Sequence, residues 1–244
     1  MNNLRTKLYI KVMPESCEVI FSGIAFAEFI QYLTRSIDNI MIITSGGNII
    51  SQDTKFERGL ELFEGHELVQ KLAKENIYNL GNFCFVDYAS SDDPKKLSEE
   101  QIAELLYLGH MFKPLRSPFF KELCNNFVYL AHDDGWYCKL FCHNSFDFIS
   151  VLCDKIKTFI SIKTKKALSK IPDTIKNELL DLAVKGLLID LDDELLKNDQ
   201  AEIRLYAVGD YSDMDVILNN WDDVKNSASL IKVLCFCDGW IIKA

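Results

Sequence analysis

The chain has 244 residues, 48% of them hydrophobic, and 27 basic against 36 acidic side chains give a net charge of −9. That length supports one large domain or two modest ones around a continuous core, and a negative surface repels a phosphate backbone, which excludes nucleic acid as a general partner. No run approaches the roughly 18 to 20 apolar residues of a membrane-spanning helix, and the polar start MNNLRTK lacks the apolar core of a signal peptide. The expectation is a soluble, cytosolic protein with no membrane partner. Its eight cysteines sit mostly inside apolar runs such as NFCFV and VLCFC, where cysteine acts as a small buried hydrophobe, and this usage fits a reducing compartment.

In chain order, KLYIKVM alternates as a strand does and stops at Pro14, and CEVIF is a second apolar run able to pair with it. Phe26, Phe29, Ile30, Leu33 and Ile37 recur at helical spacing, and IMIIT reads as a strand ending at Gly46-Gly47. The stretch from Ser51 to Gly65 reads as a polar connection. Leu68, Val69, Leu72 and Ile77 then mark a short helix, and FCFV a strand. Ser98 and Gln101 form a capping box ahead of the apolar stripe Ile102, Leu105, Leu106 and Met111.

FVYLAH, the loop Asp133-Asp134-Gly135 and WYCKLF read as a β-hairpin, since Asp side chains bond turn amides and Gly enters the left-handed region freely. Asn144-Ser145 caps a helix carrying Phe146, Ile149, Cys153, Ile156 and Ile160. Beyond the lysine-rich SIKTKKALSKIP, Asp173 is the expected N-cap of a helix with Ile175, Leu179 and Leu182 that stops at Gly186. IRLYAV is a strand, Asp213 is the expected cap of a helix carrying Ile217, Trp221 and Val224, and KVLCFCDGWIIK closes the chain as a second hairpin.

The two hairpins share a motif. Asp134-Gly135-Trp136 and Asp238-Gly239-Trp240 stand in similar frames, with Leu130 and Leu234 four residues before the Asp and Lys139 and Lys243 three after the Trp. The turn accounts for the Asp and the Gly, and the two tryptophans are left as core or interface anchors. Hairpins demand antiparallel pairing, so the expected fold is α+β, with a mixed, largely antiparallel sheet, flanking helices and two related hairpin-containing units. The expected division is a main domain over residues 1–164 with the first hairpin and a smaller acidic unit over 165–244 with the second, or one continuous domain.

Candidate chemistry is sparse. His132 ends one strand and Asp133 and Asp134 follow it, an arrangement in which a carboxylate orients an imidazole for acid–base work, with His110 or His143 nearby. Turn formation alone explains the same residues, and no GxSxG elbow is present. Cys138, Cys142, Cys235 and Cys237 are the residues a structural metal would use, with His143 as a further ligand, but no CxxC knuckle accompanies them. No phosphate-binding loop follows Gly46-Gly47. Neither metal nor cofactor is expected.

The acidic tract from Asp190 to Asp223 is the most distinctive charge feature, and Asp192, Asp193, Asp213, Trp221, Asp222 and Asp223 are its candidate partner-binding residues. The expected function is therefore a non-enzymatic protein-binding module of inhibitor or immunity type for a basic protein partner. The alternative is a hydrolase or transferase acting through His132, Asp133 and Asp134.

Overall fold

The computed structural model describes residues 6–33, 35–44, 54–74, 82–106, 117–132, 136–197, 200–211, 214–237 and 239–243. Two compact units emerge: a terminal unit built from Met1–Ile24 together with Asn144–Ala244, and an inserted unit, Ala25–His143. The fold is α+β, and every strand pair within either unit is antiparallel. No described helix is long and apolar enough to cross a membrane.

The alternating start forms β1 (Lys7–Met13), which turns through Pro14–Ser16 into β2 (Glu18–Ser22). The inserted unit then runs α1 (Phe26–Tyr32), β3 (Asn39–Thr44), β4 (Lys55–Glu57), β5 (Leu60–Glu64), α2 (His66–Lys74), β6 (Phe83–Asp87), α3 (Glu99–Glu104), β7 (Phe127–His132) and β8 (Tyr137–Cys142). Its strands lie in the order β8-β7-β6-β3-β5-β4. Side chains alternate across a strand, so one face carries Met41, Leu62, Val86 and Leu130 against Ile102, Leu105 and Leu123. The other carries Phe85, Phe127 and Tyr129 against Phe26 and Phe29 of α1, with the Phe26 and Phe85 rings stacked 3.9 Å apart.

The expected polar connection over Ser51 to Gly65 is a hairpin from Lys55 onward. Arg58 and Gly59 both have positive φ, 52° and 87°, and Glu57 pairs with Leu60, which is the geometry of a two-residue type I′ turn. Glu61 is buried in β5 and accepts a hydrogen bond from Thr54 at 2.7 Å.

The chain re-enters the terminal unit through α4 (Ser145–Thr164), where Asn144 is the N-cap the sequence predicts, accepting from the Phe146 amide at 3.0 Å. It continues with α5 (Asp173–Val184), β9 (Leu187–Asp190), β10 (Leu195–Lys197), β11 (Gln200–Ala207), α6 (Met214–Asn219), α7 (Trp221–Asn226), β12 (Leu230–Phe236) and β13 (Trp240–Lys243). Asp173 is the first residue inside α5 and Pro172 its N-cap. The single helix expected around Trp221 is two, broken at Asn220. Strand order here is β13-β12-β11-β9-β1-β2, with β10 alongside β11. Helices α4 and α5 serve one sheet face, where Trp240 donates to the Ser169 carbonyl at 2.9 Å and Lys232 meets Glu178. Helix α7 lies on the other face, where it reaches Asp190 and Tyr206.

The two Asp-Gly-Trp hairpins differ by one residue. In the second, Phe236 pairs with Trp240, whereas in the first the equivalent His132 pairs with Tyr137 and Trp136 lies beyond the ladder. Because side chains alternate with a period of two, this slip separates the fates of the tryptophans. Trp240 is 6% exposed and Trp136 44%.

Two positions yield direct tests. Gly186 has φ +77°, and a Cβ there would lie 2.0 Å from the Gly209 carbonyl oxygen, whereas Gly65 at φ +94° has nothing within 4 Å. Gly186→Ala is expected to cost about 3 kcal/mol or more and Gly65→Ala about 1 kcal/mol, a difference that urea unfolding measures. Asp87 is buried and accepts from the Asn126 and Phe127 amides and from Asn126 Nδ2 at 2.7–2.8 Å, thereby fixing the entry to β7. Burial raises its carboxyl above the ordinary value, outweighing these hydrogen bonds and the nearby Arg35. The folded state thus holds the proton more tightly than the unfolded state, so this stabilisation is complete below about pH 3.9 and is lost as pH rises through the folded value. Asp87→Asn is expected to lose about 1–3 kcal/mol near neutrality, and its deficit relative to wild type should widen as denaturant midpoints are taken from pH 7 towards pH 4.

Candidate functional site

At the tip of the first hairpin His132 is half-buried, its ring 4.7 Å from that of Tyr137 across the ladder. Asp133 and Asp134, the carboxylates expected to act with it, lie outside the described residues, as does His110. His143 follows β8 at the opposite end of the same hairpin, where Cys142 pairs with Phe127. A strand advances about 3.3 Å per residue, which puts the two imidazoles close to 20 Å apart. His143 is occupied there by Phe119, its ring stacked at 3.7 Å.

The remaining histidine, which the sequence pattern did not single out, has the more organised surroundings. His66 opens α2, and its Nδ1 lies 3.2 Å from Ser36 Oγ and 3.9 Å from Asp38 Oδ1. Ser36 Oγ donates to Asp38 Oδ1 at 3.1 Å. Local packing brings the three together. Asn39, the first residue of β3, accepts from the Gly65 amide at 3.2 Å and so ties the Ser36–Asp38 approach to the turn that starts α2. A Ser, an Asp and a His spread over residues 36–66 in no motif leave no sequence signal, since tertiary structure, the β3–β5 pairing and the Asn39–Gly65 bond, makes them neighbours.

The acidic tract folds against β9 and α7. Asp190, with 6% of its side chain exposed, accepts from Trp221 Nε1 at 3.0 Å and from the Asp192 amide at 3.1 Å. Lys225 sits among carboxylates, 2.5 Å from Asp193 and 3.6 Å from both Asp190 and Asp222. The hydrogen bond to Asp193 heads the causes that raise its pKa, against a smaller loss from burial. Thr6 donates to Asp192 at 2.6 Å, and Lys7 lies 5.5 Å from the Trp221 ring centre. Trp221 is itself 4% exposed, so it anchors α7 to the sheet from inside. Asp192, Asp222 and Asp223 face solvent, and Asp213 lies outside the described residues.

The cysteines are separate thiols. Cys138 and Cys142 share a strand face but stand four residues apart, about 13 Å, and Cys138 Sγ lies 3.2 Å from Tyr129 Oη. Cys235 is buried in β12 and Cys237 half-buried just beyond it. All eight cysteines are unbridged. Among the described residues no group of three or more His, Cys, Asp or Glu side chains is placed to hold a metal ion.

No protein-family model, curated protein or solved structure matches this chain.

Trp221→Phe tests the anchoring of the acidic face. It keeps an aromatic side chain, though a smaller one, and removes the indole donor to Asp190, and is expected to cost about 1–3 kcal/mol. Urea unfolding measures the loss, and near-ultraviolet circular dichroism should show that tertiary packing survives.

Proposed function

We propose that the protein is a protein-binding module that engages a basic protein partner on the α7 face of the terminal unit. The observation carrying this reading is that solvent-facing carboxylates and exposed apolar side chains occupy the same sheet face. Tyr206, over which Lys225 lies at 5.9 Å, pairs with Ile231 of β12, and Cys235 on that same face pairs with Ile241 of β13. Ile231 is 50% exposed and Ile241 45%. Around α7, Asp192, Asp193, Asp222 and Asp223 outnumber Lys7 and Lys225, while nearer the isoleucines the face carries Arg204 and Lys243 beside Glu202.

This is the composition of a docking surface: carboxylates speed encounter with a positively charged partner, and the isoleucines give the contact its lifetime. An inhibitor or immunity-type role suits such a surface, because blocking a basic protein requires only that its charged site be covered.

The test is co-purification from cell extract followed by kinetics on the captured basic protein. A complex that forms at 50 mM salt and weakens steeply at 500 mM is expected, as screening shortens the reach of exposed charges. Replacing Asp192, Asp222 and Asp223 together by Lys should slow association by about tenfold or more, whereas Ile231→Ser should act mainly on dissociation. A complex indifferent to both salt and charge reversal would defeat the proposal.

A further inference from the structure

We propose that His66, held through Ser36 and Asp38, is a nucleophilic site of the inserted unit that accepts an acyl group from small activated esters. The inference is independent of the α7 face. It follows from counting protons. Ser36 has one hydroxyl proton, and of its two neighbours the Asp38 carboxylate at 3.1 Å is a stronger acceptor than an imidazole nitrogen at 3.2 Å, so the hydroxyl is assigned to Asp38; the Oγ lone pairs are then left for a proton on His66 Nδ1. The neutral ring then has its only lone pair on Nε2. The side chain is 55% exposed, and no described residue bonds that nitrogen.

The arrangement differs from a Ser-His-Asp triad, in which the serine meets Nε2 and the carboxylate Nδ1. Here the serine lies between the carboxylate and Nδ1, so the imidazole is the group prepared for attack. The chain His66 Nδ1–H to Ser36 to Asp38 stabilises positive charge as it develops on the ring, with Asp38 Oδ1 itself 3.9 Å from Nδ1. The other two described histidines have ring partners instead, Tyr137 for His132 and Phe119 for His143.

The site's openness sets the substrate class. Water reaches the ring and no described group is aimed at a tetrahedral oxyanion, so only an acyl donor whose leaving group departs unaided will react. In the reaction, Nε2 bonds the carbonyl carbon, the C–O bond breaks, and the phenolate leaves with the electron pair. The Nδ1 proton passes by way of Ser36 to solvent water, with Asp38 holding the serine in place, leaving a neutral acylimidazole. Water then attacks the acyl carbon, its hydroxyl staying with the acyl group and its other proton going to the ring as the N–C bond breaks, so that a neutral imidazole is restored and the carboxylic acid departs.

The probe is p-nitrophenyl acetate with the full chain at pH 8, read as phenolate release and, after acid quench, as acetylation of the His66 peptide by mass spectrometry. The expected result is acetyl at His66, loss of that adduct in His66→Gln, and hydrolysis reduced about tenfold or more. Ser36 and Asp38 are positioning residues. Ser36→Ala and Asp38→Asn should each slow acetylation severalfold, Ser36→Thr should restore it, and His143→Gln should keep the wild-type rate. His66→Gln hydrolysing as fast as wild type, or Ser36→Ala and Asp38→Asn acetylating as fast, overturns the proposal. So does a nitrogen-15 spectrum of the unmodified protein that places the neutral-ring proton on Nε2, whatever the variants do.

Discussion

The buried carboxylate of Asp190 is the point on which the outer face of the terminal unit depends. A charge with so little exposure persists only if it is paired and hydrogen-bonded, and here the indole of Trp221, the Asp192 amide and the Lys225 ammonium meet that need. Two of the three come from α7. The bonds that satisfy Asp190 therefore hold α7 over the sheet, and that placement turns Asp222 and Asp223 outward. Charge on the surface follows from charge in the core: the helix is pinned by one aspartate and displays two others.

Much of the fold was legible because its signals are local. The Ser98–Gln101 capping box, the Asn144 cap and the alternation of β1 lie within a few residues, and each element forms where its pattern stands. The misses are equally physical. In KFERGLELFE the turn residues are Arg58 and Gly59, and Arg in the left-handed region is uncommon, so a charged stretch resembled a connection although its hairpin buries Leu60, Leu62 and Phe63. Strand β9 has only four residues, all buried, and so lacks the alternation that would mark it.

The candidate sites were less legible because they depend on tertiary neighbours. The acidic tract is visible as composition, but nothing in WDDVKN distinguishes a buried tryptophan from an exposed one; Asp190, in the distant run LLID, makes the difference. Ser36 and His66 become partners through the β3–β5 pairing and the Asn39–Gly65 bond. The repeated Asp-Gly-Trp shows the opposite hazard, since near-identical residues settle into different registers and present one tryptophan to solvent and the other to the core.

The division of the chain bears on the order in which it folds. Residues of the inserted unit are contiguous, so every ladder within it can close as soon as β8 has been synthesised. The terminal unit cannot: Tyr9 in β1 finds its β9 partner, Leu188, only after the whole inserted segment has been made. Until then the β9 side of β1 is an unsatisfied edge, a template for wrong pairing. The inserted unit thus sets a delay, since its length fixes how much chain must be made before β1 can meet its native neighbour.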